Sequence, residues 1–186
     1  MLHADDIAAI RDKYGIRDGS WHRICAQSNA AQIVATRNGH LYRRDSDGKV
    51  WQHNSLLNWS LLDQCADTAQ IDATSYNLDQ RHYNGEVFRW TGKWVSIDVG
   101  DGNVQIASAR NSKKLYQRHK NGQVWQYTSG SSWMWLDENS STVEITANGS
   151  TVFLRHDNGA VYRYHGKPGD WSEVCGVSNT TRIVGD

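Results

Sequence analysis

The stretch "LYQRHKNGQVWQY", Leu115 to Tyr127, decides the reading of this chain because it recurs. "LDQRHYNGEVFRW" runs from Leu78 to Trp90 and "VFLRHDNGAVYRY" from Val152 to Tyr164; a weaker copy, "LYRRDSDGKVWQH", runs from Leu41 to His53. Their glycines, Gly48, Gly85, Gly122 and Gly159, stand 37 residues apart at every step. A fixed period of this size marks a repeat architecture, in which each unit buries its apolar surface against its neighbours.

Every copy has the same flanks. Upstream lies a stretch of small and apolar residues: "QIVAT" from Gln32, "QIDAT" from Gln70, "QIASA" from Gln105 and "EITAN" from Glu144. Downstream lies a Trp strand ending in Asp, "WSLLD" at Trp59, "WVSID" at Trp94 and "WMWLD" at Trp133, or in Cys, "WSEVC" at Trp171. One unit therefore reads as four short strands. The middle two are joined by Asn-Gly or Asp-Gly, the dipeptides that accept positive φ, and this predicts a type I′ hairpin. Short strands separated by polar turns predict an all-β fold. Four-stranded units of about 37 residues predict a small β-propeller. The small-residue strand fits the crowded innermost position and the Trp strand the outer edge. A β-trefoil would need three units, and this chain has more.

The count predicts four complete blades and one incomplete blade. A lone Trp strand, "WHRIC" at Trp21, precedes the complete units, and a lone small-residue strand, "TRIVG" at Thr181 to Gly185, follows them. Either the ring closes on a thin fifth blade, or two chains share a ring as a homo-oligomer. Residues 1–20 form a separate segment; Ile7, Ile10 and Tyr14 share one stripe ahead of Gly15, which predicts a short N-terminal helix. Residues 21–186 form the repeat domain. Cys25 and Cys175 stand where the first three complete units carry Asp63, Asp98 and Asp137. They are read either as a bridge across the seam or as two thiols, and a reducing compartment favours thiols.

The order I-x-A, L-Y-x-x-H, N-G-x-V-W-x-Y, W-x-x-L-D resembles the repeats of tectonin-type and related fungal and bacterial β-propeller proteins. Many of these are lectins. The resemblance covers about Trp21 to Asp186 and implies carbohydrate binding at several equivalent, individually weak sites, with glycans as partners. The shared residues are those that build a blade, so the resemblance speaks to fold more than to function.

Composition narrows the alternatives. Lys+Arg and Asp+Glu are both 20, so the formal net charge is zero, which argues against a general grip on nucleic acid or an anionic membrane. Nine Trp and eight Tyr supply rings with an apolar body and a polar tip, suited to packing or to sugar faces. No run is long and apolar enough for a membrane span. The opening "MLHADDIAAIRDKYG" is charged throughout and lacks a signal-peptide core. The expected protein is soluble, and cytoplasmic or secreted by a route without a signal peptide. Three cysteines match no zinc spacing, and no catalytic, phosphate-binding or calcium motif occurs, so neither cofactor nor metal is expected.

Candidate ligand-binding residues come from the repeat. Arg81-His82, Arg118-His119 and Arg155-His156 recur with the period, and adjacent strand residues face opposite sides. Each His is either a brace at the first position of the turn or a sugar-contacting group. Each Arg is either a bridge to Asp63, Asp98 or Asp137 or part of a site. Trp90, Tyr127 and Tyr164 stand beside Gly/Ser loops, where a ring can stack on a sugar or pack on its neighbour. Repetition favours multivalent binding over catalysis, which needs one asymmetric constellation. The alternatives are a propeller enzyme acting on a small apolar substrate and a protein-interaction scaffold.

Overall fold

A computed structural model describes residues 24–25, 29–55, 57–100, 102–149 and 151–185. The helix expected over residues 1–20, and Trp21 itself, lie outside these. The described residues form four antiparallel sheets, each a meander of four strands, with no helix among them. Blade 1 holds β1 (Ala30–Ala35), β2 (Leu41–Asp45), β3 (Val50–Ser55) and β4 (Asn58–Asp63). Blade 2 holds β5 (Thr68–Ala73), β6 (Leu78–His82), β7 (Val87–Trp90) and β8 (Trp94–Asp98). Blade 3 holds β9 (Asn103–Ser108), β10 (Leu115–His119), β11 (Val124–Ser129) and β12 (Ser132–Asp137). Blade 4 holds β13 (Thr142–Asn148), β14 (Thr151–His156), β15 (Val161–Tyr164) and β16 (Trp171–Cys175).

The first strands β1, β5, β9 and β13 lie side by side in succession, and form the inner row. Ala73, Ala107 and Ala147 are buried there because neighbouring blades leave no room for more. The fourth strands form the outer edge.

Each blade has two faces, since side chains alternate along a strand. Between blades 1 and 2, Val34, Tyr42 and Val50 meet Ile71, Ala73 and Leu78, with Trp90 and Trp94 packed alongside. Between blades 2 and 3, Val87 and Ile97 meet Ile106 and Leu115. Between blades 3 and 4, Tyr116, Val124 and Leu136 meet Ile145, Val152 and Tyr164. The core is thus a series of slabs between blades, and each fully buried aliphatic side chain contributes about 1.5–3 kcal/mol.

The hairpin turn differs from the expected type I′. His119 N donates to Gln123 O (2.9 Å) and Gly122 N to His119 O (3.0 Å), so the loop has three residues and Gly122, at φ +88°, follows the turn. This is a type I turn closed by a left-handed glycine. Asn121 Oδ1 accepts from Gln123 N (3.1 Å), as Asp47 Oδ1 does from Lys49 N (3.4 Å), which accounts for the Asn or Asp before each turn Gly. A Cβ on Gly122 would meet the Asn139 carbonyl, so the site excludes other residues twice over.

Two hydrogen-bond series tie the blades together. On the inner row, Gln70 Nε2 donates to Ile106 O (2.8 Å) while its Oε1 accepts from Ile106 N (3.0 Å). Gln32 does the same to Ile71 (2.7 and 2.9 Å), and Gln105 to Ile145 (2.8 and 3.0 Å). On the outer edge, Trp94 Nε1 donates to Leu62 O (3.0 Å), Trp133 to Ile97 O (3.1 Å) and Trp171 to Leu136 O (3.3 Å). Trp59 Nε1 donates to Ile24 O (2.9 Å), so Ile24 stands where a preceding blade would carry its outer strand.

The segment "TRIVG" was expected as a strand. It lies beside β13, where Ile183 N donates to Glu144 Oε2 (3.2 Å), but among the described residues it pairs with no strand.

Replacing Gln105 by Ala would leave the main-chain N–H and C=O of Ile145 without their partners. The expected loss is about 2–4 kcal/mol of unfolding free energy in urea denaturation.

Candidate functional site

The repeated His and Arg residues sit between blades. His82 N donates to Glu86 O (2.9 Å), and its carbonyl accepts from Gly85 N (3.0 Å), so His occupies the first position of the turn. The rings of His82 and His156 lie 4.6 Å from Phe88 and Tyr162, and that of His119 lies 6.0 Å from Trp125. Burial lowers the pKa of His119, opposed by the nearby Asp98 carboxylate. Arg81, Arg118 and Arg155 do not bridge to Asp63, Asp98 or Asp137. Each donates to the carbonyl of the next residue, at 3.0, 3.3 and 3.2 Å. Arg118 and Arg155 also reach Thr142 O and Thr180 O, both at 3.4 Å.

The outer-strand Asp meets a Gln of the following blade instead. Gln80 Nε2 donates to Asp63 Oδ2 (2.7 Å) beside His82 Nε2 (3.2 Å), and Gln117 Nε2 donates to Asp98 Oδ2 (2.8 Å) beside His119 Nε2 (3.1 Å). Leu154 replaces this Gln in blade 4, and Asp137 accepts from the backbone of Asn139 (3.3 Å). Blade 1 exchanges the whole set. Arg43 stands for Gln and Asp45 for His, paired at 2.8 Å, and Arg43 Nη1 donates to Cys25 Sγ (2.9 Å) where Asp would be. No disulfide joins Cys25 to Cys175. The Gln in L-Y-Q-R-H was the sequence signal for this arrangement.

Trp90, Tyr127 and Tyr164 lie at equivalent places, each against its outer-strand Trp with centroids 5.2, 5.3 and 5.1 Å apart. Arg89 stacks on Tyr127 (4.5 Å) and forms a bidentate pair with the buried Asp79 (2.7 and 3.0 Å). The structure therefore brings the sequence-derived residues together as blade-to-blade packing, repeated once per interface, and not as one pocket.

Two other features stand out. A polar cavity of about 200 Å³ follows the inner row, lined in part by Asp72, Ser108, Arg110, Glu144 and Arg182. Asp72 has no counterpart in the other blades: Val34, Ala107 and Thr146 stand in its place. Its carboxylate accepts from Ser108 N (2.7 Å) and Ala73 N (2.8 Å). Burial pushes its pKa up to about 6, with those two N–H groups opposing the rise.

The second feature is charge segregation. In an antiparallel meander the loops after the first and third strands share one end of the blade. Among the described residues that end carries Arg37, Lys93, Arg110, Lys113, Lys114 and Lys167, against Asp170. The opposite end carries Asp47, Asp67, Glu86, Glu138 and Asp157, against Lys49 and Lys120. The described loops thus divide into a basic rim and an acidic rim. At the basic rim the loops of blades 1 to 3 are tied: Arg37 Nη1 donates to Asn111 Oδ1 (3.3 Å), Asn38 Nδ2 to Ser75 O (2.9 Å) and Ser75 N to Arg110 O (3.4 Å). Ala35, Thr36, Arg37, Arg110 and Asn111 line a cavity of about 360 Å³ there, and Lys113 lies over the exposed Tyr76 ring (5.6 Å). Among the described residues no three His, Cys, Asp or Glu side chains gather as a metal site, and no helix is long and apolar enough to cross a membrane.

Four-stranded meanders set around a shared inner row define the β-propeller class, and solved propellers are similar to this chain. YCF48 bound to D1 peptide is 14% identical with a TM-score of 0.64, over 88% of this chain and 60% of that one. Prp20p from Saccharomyces cerevisiae, described with its binding to Gsp1p and histones, is 13% identical with a TM-score of 0.63, over 83% and 49%. Streptogramin B lyase is 13% identical with a TM-score of 0.59, over 82% and 56%. This chain thus spans about half to three-fifths of their lengths, and identities this low speak to fold alone. No family model and no curated protein matches the chain.

Asp72 gives a pH signature. Its folded pKa lies above the ordinary carboxylate value, so the fold holds the proton more tightly than the unfolded chain between about pH 4 and 6. This group's contribution to stability is full below that window and falls as pH rises through it. In urea unfolding across pH 4 to 7, the wild-type curve should fall relative to that of Asp72→Asn; parallel curves would refute the assignment.

Proposed function

We propose that this chain is a non-catalytic propeller module whose basic rim binds an acidic segment of a protein partner. The observation that carries the reading is the rim itself. Arg37 and Arg110, from the loops after β1 and β9, line a cavity on a rim that carries mostly cations, and the exposed Tyr76, under Lys113, offers an apolar contact there. Such a surface attracts carboxylates at long range and reads them at short range through Arg. The protein partners named for YCF48 and Prp20p, a D1 peptide, Gsp1p and histones, lend support to a protein-binding role for this fold.

The glycan reading rests on the tectonin-like repeat. It would draw on His82, His119, His156, Trp90, Tyr127, Tyr164, Arg81, Arg118 and Arg155, whose rings and guanidinium groups are engaged with neighbouring rings and main-chain carbonyls. The protein reading has the open surface and is the one put forward. An extended nucleic-acid track is disfavoured because the opposite rim is acidic.

A fluorescent peptide of alternating Glu and Ser should bind at low salt and weaken as salt rises. Exchanging Arg110 and Lys113 together for Glu should weaken it by about tenfold while leaving the thermal midpoint in place. The reading fails if single-stranded DNA binds more tightly than the peptide. It also fails if a glycan array gives saturable binding while the peptide gives none.

A further inference from the structure

The four inner strands share the pattern Ile-x-Ala, and its last two places read Val34-Ala35, Asp72-Ala73, Ala107-Ser108 and Thr146-Ala147. Among these strands Asp72 is the one charge at the variable place, and Ser108 is the one departure from Ala. The two exceptions meet across a single blade boundary. Ser108 N donates to Asp72 Oδ2 (2.7 Å), and both residues line the polar cavity of about 200 Å³ along the inner row. The other blades pack with Val34, Ala107 or Thr146 in the place of Asp72 and with Ala in the place of Ser108, so packing does not account for either residue.

Both side chains lack a full set of partners. Ser108 is 4% exposed, and its buried Oγ makes no hydrogen bond. Such a hydroxyl gives up its water without return. Asp72 accepts from Ser108 N and Ala73 N, but among the described residues no cation pairs with it. Burial and the neighbouring Asp79 oppose its charge, and Arg110 favours that charge only from beyond ion-pair distance. Arg110 and Arg182 line the same cavity and are exposed, while Glu144 is already held by Arg155 (2.9 Å). The cavity thus has an unpaired carboxylate within and two cations toward solvent. Its volume is that of about seven waters.

We infer that this cavity binds a small free α-amino acid, with the ammonium group on Asp72 and Ser108 Oγ and the carboxylate on Arg110 and Arg182. Each Asp72 oxygen has one main-chain donor and keeps accepting capacity, and Ser108 Oγ has all of its own. An ammonium group, with three donors and a positive charge, fits this set, and charge assistance strengthens each bond. A simple cation would leave the arginines unanswered, and a simple anion would face the Asp72 charge. A zwitterion answers both ends. The inference goes beyond the peptide-binding reading of the rim. Arg110 lines both cavities, whereas Asp72 and Ser108 line this one and not the rim cavity.

The probes are glycine and L-serine, which fit this volume, added to the full chain. Calorimetry near neutral pH should show saturable binding of at least one of them, with a Kd of about 1 mM or tighter. Acetate and ethanolamine, which each carry one of the two charges, should bind at least about tenfold more weakly. Asp72→Asn should weaken the amino acid by at least about tenfold, and Ser108→Ala by about threefold. In the wild-type chain, amide resonances of Ala73, Ser108 and Arg110 should shift as the amino acid is added. The acidic peptide should bind the Asp72→Asn chain as it binds the wild type, so the rim reading stands or falls separately. The proposal is overturned if neither amino acid binds at about 10 mM, or if acetate binds as tightly as the amino acid. It is overturned too by undiminished affinity in a folded Asp72→Asn chain, or by shifts that leave Ala73 and Ser108 unmoved.

Discussion

The side-chain amide of an inner-strand glutamine holds this array in register. Gln32, Gln70 and Gln105 each place an N–H and a C=O against the main chain of the next blade, acting as one extra peptide unit between sheets that otherwise share no ladder. The spacing this sets brings Val87 onto Ile106 and Leu115, and Val124 onto Ile145 and Val152. The outer tryptophans fix the opposite edge at a wider separation, bridged by an indole ring. Short links inside and long ones outside make the blades splay around the inner row.

With the blades so placed, the polar residues of the repeat become interface parts. A carboxylate at the end of an outer strand takes a side-chain donor where the following blade offers one, and Gln80 and Gln117 do so. Where the donor is missing, the partner changes with it. Leu154 leaves Asp137 to the backbone, and Cys25 faces Arg43 once Asp45 has supplied the charge. Recurrence in this chain therefore follows the needs of packing. The features that do not recur, Asp72 and the loop cations, are where binding chemistry has room to differ.

Much of the architecture was legible in the sequence. The 37-residue period, the Asn-Gly turns and the small-residue strands gave the four-stranded unit and its inside-to-outside order. The turn type was misread because Asn-Gly fits two hairpins; here His pairs with the residue after Gly, and Asn serves as a side-chain acceptor. The Arg–Asp bridge was expected from equal recurrence, but a period says which residues are equivalent and not which ones meet. The basic rim was hidden because net charge sums over both ends of a blade, and only the strand connectivity separates them. Asp72 was hidden inside a motif whose middle position is variable.

One substitution gives the array a direction. Where blades 1 to 3 carry Gln, blade 4 carries Glu144, whose carboxylate accepts from Ile183 but has no hydrogen to return, and it is shared with Arg155 at 2.9 Å. The last link of the row is therefore single where the others are double. In a row of nearest-neighbour contacts, opening starts at the weakest link. Residues 181–185 therefore part from β13 before the doubly linked blades part from one another, like the loosest tooth of a zipper.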